Sequence, residues 1–219
     1  VKALILSVAI VLLFATNLLA QMWAVQVQDT GTGGQGSGTV VAVHDEVRDG
    51  WRYGLVATAS HVVENSSGIR VVFENGKSAS RCSVVERDRN NDIALVRCLV
   101  PEEVKAVKIS DVAAKEGDKI SYVGRGRRKF SGEVSALAFE DEIWADVTFV
   151  PGDSGGSVLL DGKIIGVISG GMRWSPNKPQ RTWPGRSNNL QPFKVMYDRA
   201  MQSKSWVSGQ RVQSRLGNT

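Results

Sequence analysis

Three short strings of the sequence carry residues able to do chemistry together: Thr58-Ala59-Ser60-His61-Val62-Val63, Asn91-Asp92-Ile93-Ala94-Leu95 and Pro151-Gly152-Asp153-Ser154-Gly155-Gly156-Ser157. Taken in order they supply a base, an acid and a nucleophile. A serine hydroxyl is a weak nucleophile and needs an adjacent base to take its proton. Histidine does this near neutral pH, and a buried carboxylate fixes the imidazole tautomer and stabilises the imidazolium that forms. The glycines around Ser154 let the backbone turn sharply, so that the amides of Gly152 and Ser154 can converge on a developing oxyanion. One such donor contributes ~3 kcal/mol of transition-state stabilisation. Each string alone has a plainer reading: a structural histidine, an aspartate at a strand start, a bare Gly-Asp-Ser turn. Their conjunction favours catalysis. The chain has only two histidines, and His44 lies in the polar string VHDE, so His61 is the well-placed base. This chemistry calls for no cofactor and no metal, and two cysteines cannot by themselves form a zinc cluster.

The elements that must position these residues read as strands. The chain has 219 residues with 23 Gly and 6 Pro, and Val, Ile and Thr recur in short runs. The first half offers residues 38–43, 54–58, 69–73, 78–85 and 93–98; the second offers 119–123, 132–139, 143–149, 157–160 and 163–169. About ten strands, with turn signals every 8–12 residues, argue an all-β barrel or sandwich. Residues 100–116 read as a crossover between two lobes. Asp161-Gly162 is a type I′ hairpin signal. One helix is expected near the end, with Pro192 at its first position and Phe193, Met196 and Ala200 on one face. Across the turn Asp88–Asn91, Cys82 and Cys98 come opposite each other, which makes them a disulfide candidate; two buried free thiols are the alternative.

The sequence resembles the trypsin-like (chymotrypsin-fold) serine endopeptidases, above all HtrA-like and related secreted bacterial members. The matching strings are GSGTVVA, TASHVV, RDRNNDIALVRC, SYVG, GEVSAL, VPGDSGGSV and GKIIGVISGG, from about Gly36 to Gly171. The resemblance implies two six-stranded antiparallel β-barrels with the site in the cleft between them. It makes His61 the general base, Asp92 its orienting acid, Ser154 the nucleophile, and the Gly152 and Ser154 amides the oxyanion hole. It places the substrate pocket at Thr148, Ser169, Gly170 and Gly171, with Thr148 at the floor. A pocket without a buried carboxylate has no partner for a desolvated Arg or Lys, so an uncharged side chain is expected before the cleaved bond. Ser157 departs from the proline of many members. Residues 172–219 do not look like a PDZ domain. A silent, binding-only member of the fold is the rival reading. An α/β-hydrolase esterase is rejected, because its order is Ser, acid, His on an α/β sheet.

Family members made as zymogens pair a freed apolar N-terminus with the acid before the nucleophile. No IVGG-type string with a basic residue before it occurs upstream of Gly38, so Asp153 is expected to be satisfied internally by backbone amides or a nearby side chain.

The ends are different in kind. Lys2 followed by the apolar run Ala3–Ala20 reads as a signal peptide or signal anchor, residues 1–20, with membrane anchoring by residues 3–20 in the second case. Residues 21–37 read as a flexible linker, 38–203 as the protease domain and 204–219 as a basic tail. The expected location is secreted, periplasmic or membrane-anchored outside the cytoplasm, where disulfides are permitted. From Arg173 onward nine Lys/Arg face one acid, Asp198. Such charge can attract phosphate or an acidic surface or equally be a solvated end; without a nucleic-acid motif no nucleic acid is expected, and the expected partner is a protein or peptide substrate.

Overall fold

Strand alternation in this chain closes two barrels. In the computed structural model, which describes residues 23–64, 66–138, 142–147, 149–171, 185–203 and 206, twelve strands are present. The first barrel has the order β1-β2-β3-β6-β5-β4, from β1 (Ala24–Asp29), β2 (Gln35–Val43), β3 (Trp51–Thr58), β4 (Ile69–Val72), β5 (Ser78–Asp88) and β6 (Ile93–Pro101). The second has the order β10-β11-β12-β9-β8-β7, from β7 (Lys119–Val123), β8 (Lys129–Ala138), β9 (Glu142–Ala145), β10 (Ser157–Leu160), β11 (Lys163–Gly171) and β12 (Gly185–Asn188). All neighbours within the barrels are antiparallel. Full closure leaves no open sheet edge in either barrel. Val27, Val40, Val56, Val71 and Val96 fill the first, and Ile120, Tyr122, Ile143, Val158 and Ile165 the second.

Within the expected linker at 21–37, residues 24–37 form a hairpin instead. Val25 and Val27 alternate with Gln26 and Gln28, and the two valines are buried. The glycine-rich stretch is the turn joining β1 to β2, and it forms around a side chain. Asp29 Oδ1 accepts from Gly31 N at 2.8 Å and Thr32 N at 3.2 Å, while Oδ2 accepts from Thr32 Oγ1 at 2.8 Å. β1 is therefore part of the first barrel. β12, the other strand absent from the sequence expectation, lies between β9 and β11. Asp161 and Gly162 take φ of 50° and 74°, the two positive values a type I′ turn requires.

Helix α1 (Leu190–Gln202) starts two residues earlier than expected, because the Asn189 side chain accepts from Leu190 N and caps it. Pro192 is its third residue. Phe193, Met196 and Ala200 are buried together, as their spacing predicts. Trp206 falls within the stretch expected as a tail, yet it is buried. Its carbonyl lies 3.2 Å from His44 Nε2 and its ring 5.3 Å from the His44 ring. His44 is thus a structural histidine rather than a solvated one. Residues 1–22, Thr148, the Trp/Pro-rich stretch 172–184 and the tail beyond Trp206 lie outside the described residues.

Candidate active site

Strand pairing brings His61 and Asp92 together. Thr58 at the end of β3 lies opposite Ala94 near the start of β6. The chain beyond β3 turns through a single 3-10 turn, Ser60–Val62, that carries His61, and Asp92 immediately precedes β6. His61 Nδ1 is 2.8 Å from Asp92 Oδ2, and His61 N donates to Asp92 Oδ1 at 2.9 Å. Ser60 N donates to the Asp92 carbonyl at 3.1 Å. Asp92 holds these three contacts with φ of 54°, a left-handed value that aspartate tolerates better than most residues.

A third residue comes from the other barrel. Ser169 Oγ on β11 donates to Asp92 Oδ2 at 2.6 Å. The sequence reading puts Ser169 in the pocket wall; its hydroxyl also bonds to Asp92. Burial pushes the Asp92 carboxyl up, but hydrogen bonds from the His61 ring, the Ser169 hydroxyl and the His61 amide outweigh it and hold Asp92 below the usual carboxylate range. The hydrogen bond to Asp92 raises His61 above its ordinary value, against an opposing push from burial.

The loop that carries Ser154 joins β9 to β10. Asp153 N donates to Val150 O at 3.0 Å, closing a turn with Pro151 second and Gly152 third at φ 95°. Proline followed by a positive φ is the type II pattern. The loop is fastened to barrel one at Ser37 on β2. Ser37 N donates to Ser154 O at 2.8 Å, and Ser37 Oγ donates to Gly152 O at 2.7 Å. Thr58 Oγ1 in turn donates to Ser37 O at 2.8 Å. Gly155 lies so close to this junction that a Cβ would fall 2.2 Å from Ser37 O and 2.8 Å from Ala59 N, the residue two before His61. Only glycine allows the two loops that approach. With the loop so fixed, neither Gly152 N nor Ser154 N donates to another described residue, and both remain available to an oxyanion. No hydrogen bond joins His61 to Ser154 among the described residues; such bonds are often long before substrate binds.

Asp153 is wholly buried behind Ser154. Its Oδ1 accepts from Arg125 N at 2.8 Å. Its Oδ2 accepts from Val150 N at 2.8 Å and Arg128 Nη2 at 2.6 Å. The internal satisfaction expected for this acid is present, and the cation is Arg128, just before β8. Nothing in the local sequence marks Arg128 or Ser37 for these tasks, since each meets its partner only through the tertiary fold.

Gly170 and Gly171 pair with Arg186 and Gly185 of β12. Gly170, Ser169, His61, Asp92 and Arg186 border a cleft of about 380 Å³. Thr148, the expected pocket floor, lies outside the described residues. Cys82 and Cys98 sit where the β5–β6 register opposes them, but both are free thiols, so the expected bridge is absent from this structure.

A family model described as trypsin-like peptidase domain matches residues 36–167. The periplasmic serine endoprotease DegP of Salmonella typhimurium is 34% identical over 128 residues, covering 52% of this chain and 27% of that protein. The Escherichia coli protein of the same name is 33% identical over 128 residues, with the same coverage. The chain thus spans about a quarter of the length of these relatives. A serine endoprotease structure from Yersinia pestis superposes with a TM-score of 0.66 at 19% identity, covering 83% of this chain and 64% of that one, a likeness of fold. Since the match takes in more than half of the sequence, including His61, Asp92 and Ser154, the chain belongs to the trypsin-like peptidase domain family.

Proposed function

We propose that the protein is a serine endopeptidase that hydrolyses peptide bonds through an acyl-enzyme on Ser154. His61 Nε2 takes the Ser154 proton as Oγ attacks the carbonyl carbon. The Gly152 and Ser154 amides receive the oxyanion. As the intermediate collapses, the C–N bond breaks and His61 returns the proton to the leaving amine. Water, deprotonated by His61, then attacks the acyl carbon and restores Ser154. Asp92, held by Ser169, keeps His61 in the tautomer that can accept at Nε2.

The carrying observation is the loop Val150–Ser154, which is fastened through Val150, the Gly152 carbonyl, Asp153 and the Ser154 carbonyl while the Gly152 and Ser154 amides donate to no other described residue. A binding-only member of the fold has no need of two undonated amides beside a serine. The relatives named periplasmic support a location outside the cytoplasm. That location suits the apolar segment at residues 3–20 and permits Cys82 and Cys98 to bridge. Thr148 leads us to expect an uncharged side chain before the cleaved bond.

The test is labelling by a fluorophosphonate together with a peptide-library cleavage profile, comparing the protein lacking residues 1–20 with its Ser154→Ala form. Labelling and cleavage by the first and neither by the second are expected. Cleavage that survives the substitution to within a few-fold would overturn the assignment.

A further inference from the structure

Beside Ser37, Pro151 and Gly152, the structure carries a second cavity of about 550 Å³. It shares no residue with the cleft that holds His61 and Asp92. Its walls are β1 and β2, the start of the Phe73–Lys77 turn, the loop before β8, and Pro151 and Gly152. If the acyl half of a substrate lies along Ser169–Gly171, as the proposed endopeptidase requires, the other half leaves past Gly152 into this cavity.

Three charged side chains line it: Glu74, Arg125 and Arg127. Glu74 already faces a cation, since Arg127 Nε lies 4.0 Å from its Oε2. Arg127 Nε is itself buried and makes no hydrogen bond among the described residues. Arg125 has no carboxylate within ion-pair distance among the described residues. Its guanidinium makes one long contact, 3.5 Å from Nη1 to the Pro151 carbonyl. The Arg125 stem lies directly on Gly152, with Cδ 2.8 Å from the position a Gly152 Cβ would take. In a trans peptide the Pro151 carbonyl and the Gly152 N–H point in opposite directions. The guanidinium is therefore on the face away from the oxyanion and is not a second oxyanion donor. Gln35 adds polarity, with its Oε1 taken up by Gln26 Nε2 at 2.8 Å. Val25, Val72 and Phe73 supply apolar wall for a side-chain stem. The net character is a half-open pocket with one uncompensated cation, unused donors and a single acid already matched.

We propose that this cavity is a leaving-side subsite for a carboxylate within the first three residues after the cleaved bond, with Arg125 as the specificity-determining residue. This rests on the endopeptidase reading above. The carboxylate has two sources, an Asp or Glu side chain or the free end of a chain cut near its C-terminus. A cation there would meet Arg125 with no acid to spare.

The test uses internally quenched peptides with one fixed N-terminal half. Glu, Gln or Lys is placed in turn at each of the first three positions after the cleaved bond, with the C-terminus amidated. A parallel set has neutral residues and a free carboxylate at the third position. At low salt, Glu at one position should exceed Gln by about five-fold in kcat/KM and exceed Lys by more; the advantage should fall at high salt. Arg125→Gln should bring the Glu-to-Gln ratio to about one, and Arg125→Glu should invert it towards Lys. A gain confined to the free-carboxylate set, lost in Arg125→Gln, assigns the subsite to chain ends. An enzyme that is labelled by fluorophosphonate and cleaves every peptide equally, or whose ratio survives Arg125→Gln, overturns the subsite alone. Neither labelling nor cleavage overturns the endopeptidase reading and the subsite with it.

Discussion

At the scale of single residues, the site depends on how Asp92 sets the charge of His61. The Asp92 hydrogen bond raises the imidazole above its ordinary value, so the imidazole holds its proton to a higher pH than a free one. Only the neutral form can act as a base, so kcat/KM should rise with pH through a midpoint above 6.5. Asp92→Asn removes the carboxylate that raises His61 and leaves a group able to hold the wrong tautomer. The midpoint should therefore move down while kcat falls by about 10⁴-fold. A pH–rate profile of both forms checks this. An unchanged midpoint in Asp92→Asn would mean that the contact at 2.8 Å does not govern the base.

The elements show why some of this was legible in sequence and some was not. β6, β7, β10 and β11 announce themselves by β-branched runs and by turns such as Asp161-Gly162, since burial inside a barrel selects those residues directly. β1 hides behind Gln26 and Gln28, which face outward, and behind a glycine-rich turn that mimics a linker. β12, Gly185–Asn188, has no β-branched residue at all. Its place is set by the neighbours β9 and β11 rather than by its own preference. The same division holds in the site. His61, Asp92 and Ser154 sit in strings whose local types carry the chemistry. Ser37, Arg128 and the hydroxyl of Ser169 gain their tasks from contacts spanning 25 to 115 residues, which no local pattern encodes. The β5–β6 register is a case where pairing arithmetic does reach the structure. Ser83 opposes Arg97, so the preceding Cys82 meets the following Cys98 across the ladder. Hydrogen bonding to Cys82 and full burial hold the Cys98 thiol well above its usual value, which slows its attack as a thiolate. Protein recovered from an oxidising compartment should nonetheless show no free thiols under denaturing conditions. Reduction should cost roughly 3 kcal/mol of stability in the chain-entropy account. Two titratable thiols in such protein would leave the pair as a buried dithiol.

At the scale of the whole molecule, the question is what switches the nucleophile loop on. A buried carboxylate behind the nucleophile needs a cation, and an N-terminal ammonium released by cleavage is one source. Here the Asp153 oxygens are already met by two backbone amides and by Arg128. The carboxylate is wholly enclosed, with no exposed surface for an incoming ammonium. Arg128 is itself held by its position over the Phe130 ring, with its guanidinium carbon 4.3 Å from the ring centroid. The cation that meets Asp153 is thus part of barrel two. An N-terminal extension should therefore change kcat/KM by less than about two-fold, because the Asp153 carboxylate already has its partners within barrel two. Arg128→Ala should act in the opposite way. It leaves a buried charge with amide donors only, and the half-exposed setting of the arginine reduces the full penalty for breaking a buried pair to about 2 kcal/mol. The loop would then lose its fixed shape, and kcat should fall by at least ten-fold while the melting temperature drops by a few degrees. Arg128→Lys keeps the charge and should recover part of the rate. Steady-state assays on tagged, untagged and substituted forms decide the matter. If a tag abolishes activity and its removal by a protease restores it, while Arg128→Ala is indifferent, then a chain end is the switch and Arg128 is not.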